Sequence, residues 1–179
     1  MKNFYFSKLI QIQQSNITVL KKDRLLLIGG PLGTSFLELP ENIFFEKHGN
    51  SCRFFGLVTE KNLILTYCKL FLNKIKGVDL GFSELLVING VGWRASLKEP
   101  NILVVSLGYS HVVEYILKNC VEVTFYDKQN FKVFGLDFEI VQQVVADLCN
   151  LRAFNIYKGK GVYKPSQIHK LKISSKSKA

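Results

Sequence analysis

From Leu85 onward the chain sets short apolar runs, rich in β-branched and aromatic side chains, between glycine, asparagine and proline. Leu85–Ile88, Ile102–Leu107, Val112–Leu117, Val121–Tyr126 and Lys132–Phe134 therefore predict strands. The period then changes. Phe138, Val141, Val144, Val145 and Leu148 recur at threes and fours, the spacing of one buried helical face, and Asp137 is placed to cap its start. The first half carries the same order, with strands predicted around Ile17–Leu20, Leu25–Ile28, Phe36–Leu39, Ile43–Glu46 and Arg53–Leu57. A helix near Asn62–Lys76 follows.

Shifting the sequence on itself by 79 residues makes the order a repeat: Leu25–Gly30 falls on Val104–Tyr109, and Gly29 on Gly108. Further on, Phe55, Gly56, Leu57 and Glu60 fall on Phe134, Gly135, Leu136 and Glu139. The expected fold class is α+β: two tandem copies of a small domain, each a mainly antiparallel or mixed sheet covered on one face by a helix. Lys76–Glu84, with two glycines and little apolar periodicity, places the boundary near Gly81. The expected organisation is an N-terminal extension at 1–16, a first repeat at 17–81, a second at 82–156, and a basic loop and tail at 157–179.

Composition narrows the class. At 179 residues and 47% apolar content the chain can bury a real core, and 21% charged residues is ordinary. No apolar run approaches the length of a spanning helix, since Leu25–Ile28 meets Gly29, Gly30 and Pro31 at once. Residues 1–22 lack the long apolar core of a secretory signal. Cys52, Cys68, Cys120 and Cys149 are scattered, which suits buried thiols, and the separation of His48, His111 and His169 gives no reason to propose metal ligation.

Charge placement says more than the net +10. Residues 1–83 balance at +5 and residues 84–151 at −3, whereas residues 152–179 carry eight basic side chains and no acid. Segregated positive charge of this kind more often marks a polyanion partner, because each neutralised phosphate releases condensed counterions, and a solvated lysine tail is the alternative. Within it, Tyr157–Lys164 reads YKGKGVYK. Lys158, Lys160 and Lys164 can reach phosphates. Gly159 and Gly161 offer backbone N–H groups without a side chain in the way, and Tyr157 and Tyr163 either stack on bases or anchor the segment.

Two glycine motifs could instead suggest an enzyme. Gly90, Gly92 and Ala95 have the spacing of a dinucleotide-binding fingerprint, but Pro100 follows too soon for the helix that such a loop requires. A bend between paired strands suits them better. Gly159–Gly161 is not a phosphate-binding loop of the Walker type, since Phe154 stands where its first glycine belongs and Gly161 where Ser or Thr belongs. No Ser-His-Asp set, metal-binding run or carboxylate pair is evident. The expectation is a binding protein without catalytic residues, metal or cofactor.

GVGWRA at Gly90–Ala95, VSLGYSHVV at Val105–Val113, DFEIVQQVVADL at Asp137–Leu148 and YKGKGV at Tyr157–Val162 occur in a specific order. In that order and spacing, and in NKIKGVDLGF at Asn73–Phe82, the chain resembles the large-ribosomal-subunit protein six family of bacterial and organellar type, over roughly residues 17 to 172. The resemblance implies a tandem fold bound to large-subunit ribosomal RNA near the stalk base and the sarcin-ricin loop. Neighbouring large-subunit proteins would be partners, and translational GTPases would dock nearby. It implies RNA-contacting roles for the basic loop (Tyr157, Lys158, Gly159, Lys160 and Gly161), for Arg94 of the glycine bend, and for Ser110 and His111 at a strand end. Arg152, Tyr163, Lys164, Lys170 and Lys172, from the basic terminal segment, complete the candidate set.

The chain departs from the family pattern in places. Phe154, Asn155 and Ile156 stand where Pro-Glu-Pro is usual, and Tyr163 stands where an arginine would be a bidentate phosphate donor. Trp93 replaces a common tyrosine and Val112 a common proline, while Phe138 and Cys149 take places that are often basic. The abundance of Phe, Ile, Asn and Lys points to a mitochondrial ribosome, with another organellar or a bacterial ribosome as the alternative. A non-ribosomal RNA-binding module built on the same tandem fold is the second functional expectation, and a nucleotide-dependent enzyme a distant third.

Overall fold

The computed structural model describes residues 5–12, 16–99, 101–167 and 170–172. The chain divides into two compact units, Met1–Gly81 with Leu136–Phe138, and Phe82–Gly135 with Glu139–Ala179. Both are α+β with antiparallel sheets.

The first unit runs β1 (Tyr5–Gln11), β2 (Thr18–Lys22), β3 (Leu25–Gly30), β4 (Gly33–Glu38), β5 (Phe44–His48), β6 (Ser51–Leu57) and helix α1 (Lys61–Leu80). Its strands form two three-stranded sheets, β1-β6-β5 and β2-β3-β4. Alternation decides which side chains turn inward: Leu26 and Ile28 of β3 and Cys52 and Phe54 of β6 are fully buried, while their neighbours face outward. Ile64, Cys68, Phe71, Ile75 and Val78 bring one face of α1 onto this core. There Phe54 and Phe71 meet edge to face, with ring centroids 5.2 Å apart.

The second unit repeats the order. It runs β7 (Phe82–Asn89), β8 (Arg94–Glu99), β9 (Ile102–Ser106), β10 (Val113–Ile116), β11 (Val121–Phe125), β12 (Asn130–Gly135) and α2 (Phe138–Leu151), then adds β13 (Gly161–Tyr163). Its sheets are β10-β9-β8 and β11-β12-β7-β13. The register repeats as well. Phe6 and Ser7 lie opposite Gly56 and Phe55, as Phe82 and Ser83 lie opposite Gly135 and Phe134. The repeated Phe-Gly-Leu has a packing cause, because a Cβ on Gly56 would come 3.2 Å from Ile64 Cδ1 of α1, and one on Gly135 would come 2.8 Å from Val141 Cγ2 of α2.

Differences from the pattern-based expectation have local causes. β1 lies in the stretch expected to be an N-terminal extension, yet pairs along its whole length with β6. Only Ile10 of its seven residues is buried, so it shows no apolar alternation to read. β8 lacks such an alternation too, with Ala95 its single buried side chain. Helix α1 continues beyond Lys76 through most of the expected linker, because Val78 is fully buried and adds to the helical face. Gly81, in the left-handed region at φ 72°, stops it, and β7 begins at the next residue. Asp137 serves the first unit, where its Oδ1 accepts from Ser35 Oγ at 2.8 Å and Lys74 Nζ at 2.7 Å. Of the cysteines, Cys52 and Cys68 are buried, Cys149 is half-buried and Cys120 is exposed in the turn before β11.

Tyr115 of β10 donates its hydroxyl to Asp147 of α2 at 2.9 Å. Burial first, and then this hydrogen bond, push the phenol from its ordinary value of 10 up to about 12. The unfolded chain therefore loses this proton before the folded one does. The contribution is intact below pH 10 and is lost as the pH rises from there to about 12. Tyr115→Phe is expected to flatten the fall in denaturant midpoint between pH 10 and about 12, read by circular dichroism.

Candidate nucleic-acid interface

The candidate residues all lie in the second unit, where the end of β7, the glycine bend and the segment after α2 come together. Val162 N donates to Arg152 O at 2.9 Å and β13 pairs antiparallel with the end of β7, Gly161 opposite Asn89 and Tyr163 opposite Val87. Asn89 Nδ2 donates to Gly159 O at 2.8 Å. The basic loop between α2 and β13 is thereby fixed to the strand that leads into the glycine bend.

Asn155 shapes the loop. Its Oδ1 accepts from the backbone N–H of Tyr157 and of Lys158 at 2.9 and 3.0 Å, its N–H donates to Lys160 O at 2.8 Å, and its carbonyl accepts from Gly159 N at 2.8 Å. An asparagine thus supplies by hydrogen bonding the rigidity that prolines would supply by ring closure. Asn155→Ala is expected to cost about 1 kcal/mol of local stability and to speed amide exchange at Tyr157 and Lys158, observable by NMR.

Two expectations about this loop require correction. Gly159 and Gly161 do not present bare backbone outward, since both are buried and the Gly159 N–H is taken by Asn155. A Cβ on Gly161 would come 2.4 Å from Phe154 Cα, and one on Gly159 would meet Leu171 at 3.3 Å, so the glycines are there for close packing. Nor is Lys164 turned outward: its Nζ donates to Gln142 Oε1 of α2 at 2.6 Å, and it lies near the Cys149 thiol, which burial pushes up. Tyr163 packs edge to face on Phe154, with centroids 5.0 Å apart, and so anchors the segment. Tyr157, Lys158 and Lys160 remain exposed. Lys170 and Lys172 are exposed too, and Lys172 N donates to Ile156 O at 3.2 Å, which returns the chain to the loop. The rest of the basic tail, 168–169 and 173–179, lies outside the described residues.

Beside the loop is a cationic aromatic cluster. The Arg152 guanidinium lies 4.7 Å from the Tyr109 ring centroid and 5.7 Å from that of Trp93, and Tyr109 Oη donates to Leu151 O at 2.9 Å. His111 stacks on Tyr109 with centroids 6.2 Å apart, and Ser110 between them is exposed. The glycine bend makes room for the indole, for a Cβ on Gly90 or on Gly108 would come within 2.7 Å of it. Arg94, Lys128 and Asp127 line an open hollow of about 580 Å³ beside Trp93, and Gln129 Nε2, from the same lining, donates to Gly90 O at 3.2 Å. Trp93, Tyr109 and Lys128 were absent from the expected set. Trp93 stood out only as a departure from the family pattern, and the hairpin turn that carries Lys128 gave no signal of its partner.

The cluster can hold a polyanion by charge and a flat base by its rings. The family model described as Ribosomal protein L6 matches residues 89–164, the stretch that builds this surface. Large ribosomal subunit protein uL6c of Porphyra purpurea is 31% identical over 180 residues, covering 96% of each chain. Large ribosomal subunit protein uL6m of Prototheca wickerhamii is 34% identical over 153 residues, 75% of this chain and 77% of the relative. Large ribosomal subunit protein uL6 of Borreliella afzelii is 34% identical over 155 residues, 85% of this chain and 86% of the relative. With similarity of that extent across both units, the chain belongs to the ribosomal protein L6 family.

Proposed function

We propose that this protein is a structural constituent of a large ribosomal subunit and that its second unit holds large-subunit ribosomal RNA. The observation that carries the reading is the exposure of Lys158, Lys160 and Tyr157 on a loop fixed at both ends, with Arg152, Trp93 and Tyr109 beside it. Such a surface recognises the spacing of phosphates in folded RNA by its own fixed shape, and loses little conformational entropy on binding. Arg94, Ser110, His111, Lys170 and Lys172 extend the proposed footprint, while Gly159, Gly161, Tyr163 and Lys164 support it from beneath.

Within the particle we place it near the stalk base and the sarcin-ricin loop, where translational GTPases act, and in a mitochondrion. The abundance of phenylalanine, 14 residues, and of lysine supports an organellar source. The test is co-sedimentation. Recovery with the large subunit of purified mitochondrial ribosomes after a high-salt wash is the expected result. Salt-labile association, or recovery with other RNAs, would favour a non-ribosomal module, and recovery with plastid or bacterial large subunits would move the compartment.

A further inference from the structure

The two units share a fold but differ at one edge. In the second, β13 lies along the outer edge of β7 and buries Val162. In the first, β1 occupies the place of β7, and among the described residues no strand pairs its outer edge. An unpaired edge leaves a row of backbone donors and acceptors ready for another strand.

Repeat-related positions show what belongs there. The shared register sets Lys8 at the place of Glu84, and Ile64, facing Gly56, at the place of Val141, facing Gly135. Leu65 then corresponds to Gln142, and Leu72 to Cys149. In the second unit these positions meet the strand that covers them: Gln142 donates to Glu84 at 2.8 Å and accepts from Lys164 at 2.6 Å. In the first unit Ile10, Leu65, Cys68 and Leu72 line an open groove of about 420 Å³ flanked by Lys8 and Lys69. Leu65 and Leu72 are 36% and 38% exposed on it.

We propose that this edge and groove dock an extended segment of a partner protein, which adds to β1 as β13 adds to β7. Charge identifies the segment. Where the covered edge carries Glu84 and receives Lys164, the open edge carries Lys8, with Lys69 of α1 across the groove, so the incoming strand sets acidic side chains among apolar ones on the face it turns to the groove, at every second residue. Main-chain pairing gives it affinity, and the groove selects its side chains. The site is separate from the RNA surface, and its test stands whatever becomes of that assignment.

Isotope-labelled full-length protein is titrated with two synthetic strands of about nine residues whose groove-facing positions, every second residue, alternate valine with glutamate in one and valine with lysine in the other, with threonine between them. The glutamate peptide is expected to slow exchange of the Tyr5–Gln11 amides and to bind about tenfold tighter than the lysine peptide. Lys8→Glu with Lys69→Glu should invert that preference, and unchanged amide shifts of β3 and β4, in the same unit but away from the substituted side chains, would show that the variant is folded. The proposal is overturned if neither peptide protects β1 at about 1 mM, if the two bind equally, or if an oligouridylate protects β1 in place of the glutamate peptide.

Discussion

Gly161→Val will destabilise the terminal arm by about 3 kcal/mol while leaving every charge in place. The cost has two sources. Gly161 has φ 153°, a conformation that side chains rarely adopt, and its Cβ would come 2.4 Å from Phe154 Cα and 3.0 Å from the Ala153 carbonyl carbon. Those atoms are backbone, so no rotamer change relieves the clash. The first turn after α2 or β13 must shift, and with it go the Val162–Arg152 hydrogen bond and the register on β7. RNA affinity should fall by a similar factor, because the loop must then be ordered at the moment of binding, yet the salt dependence should stay near that of the parent, since Lys158 and Lys160 still reach phosphate. Denaturant melts and RNA titrations at several salt concentrations measure both. A variant as stable as the parent that binds RNA equally well would show that β13 does not position the loop.

That expectation depends on a feature the sequence carries without advertising. Gly159 and Gly161 between lysines suggest backbone laid open to phosphate, and only the burial of both shows that they serve packing. The patterns that were legible are those in which burial follows a short period: the inward residues of β3 and β12, and the threes and fours of α2. β1 was not legible because Tyr5 and Leu9 are exposed and Ile10 alone is buried, so pairing with β6 rather than side-chain alternation makes it a strand. β13 is three residues long and is held by β7, a tertiary cause with no local signature. The same holds at the site. Charge placement located the basic loop, but the approach of Arg152 to Trp93 and Tyr109 depends on chain segments far apart in sequence. Sequence resemblance carried what periodicity could not, the kinship of the glycine bend with the terminal loop.

Removing the exposed charges tests the other half of the arrangement. Lys158→Ala with Lys160→Ala is expected to weaken RNA binding by about 2 kcal/mol, near 1 kcal/mol for each charge-assisted contact, without lowering the denaturant midpoint. Both side chains are exposed, so their loss leaves no void and no buried polar group. If each lysine neutralises one phosphate, the log-log slope of affinity against salt should become shallower by about 1.5. Lys164→Ala should behave differently. Its ammonium is committed to Gln142 of α2, so truncation is expected to cost about 1 kcal/mol of stability and leave the salt slope unchanged. The two variants thus separate a contact from a support, and titrations at low and high salt with a folded RNA fragment read the difference. A slope unmoved by loss of Lys158 and Lys160 would remove them from the phosphate surface and shift the charge contribution to Arg94, Lys128 and Arg152, whose geometry around Trp93 offers the next concentration of positive charge.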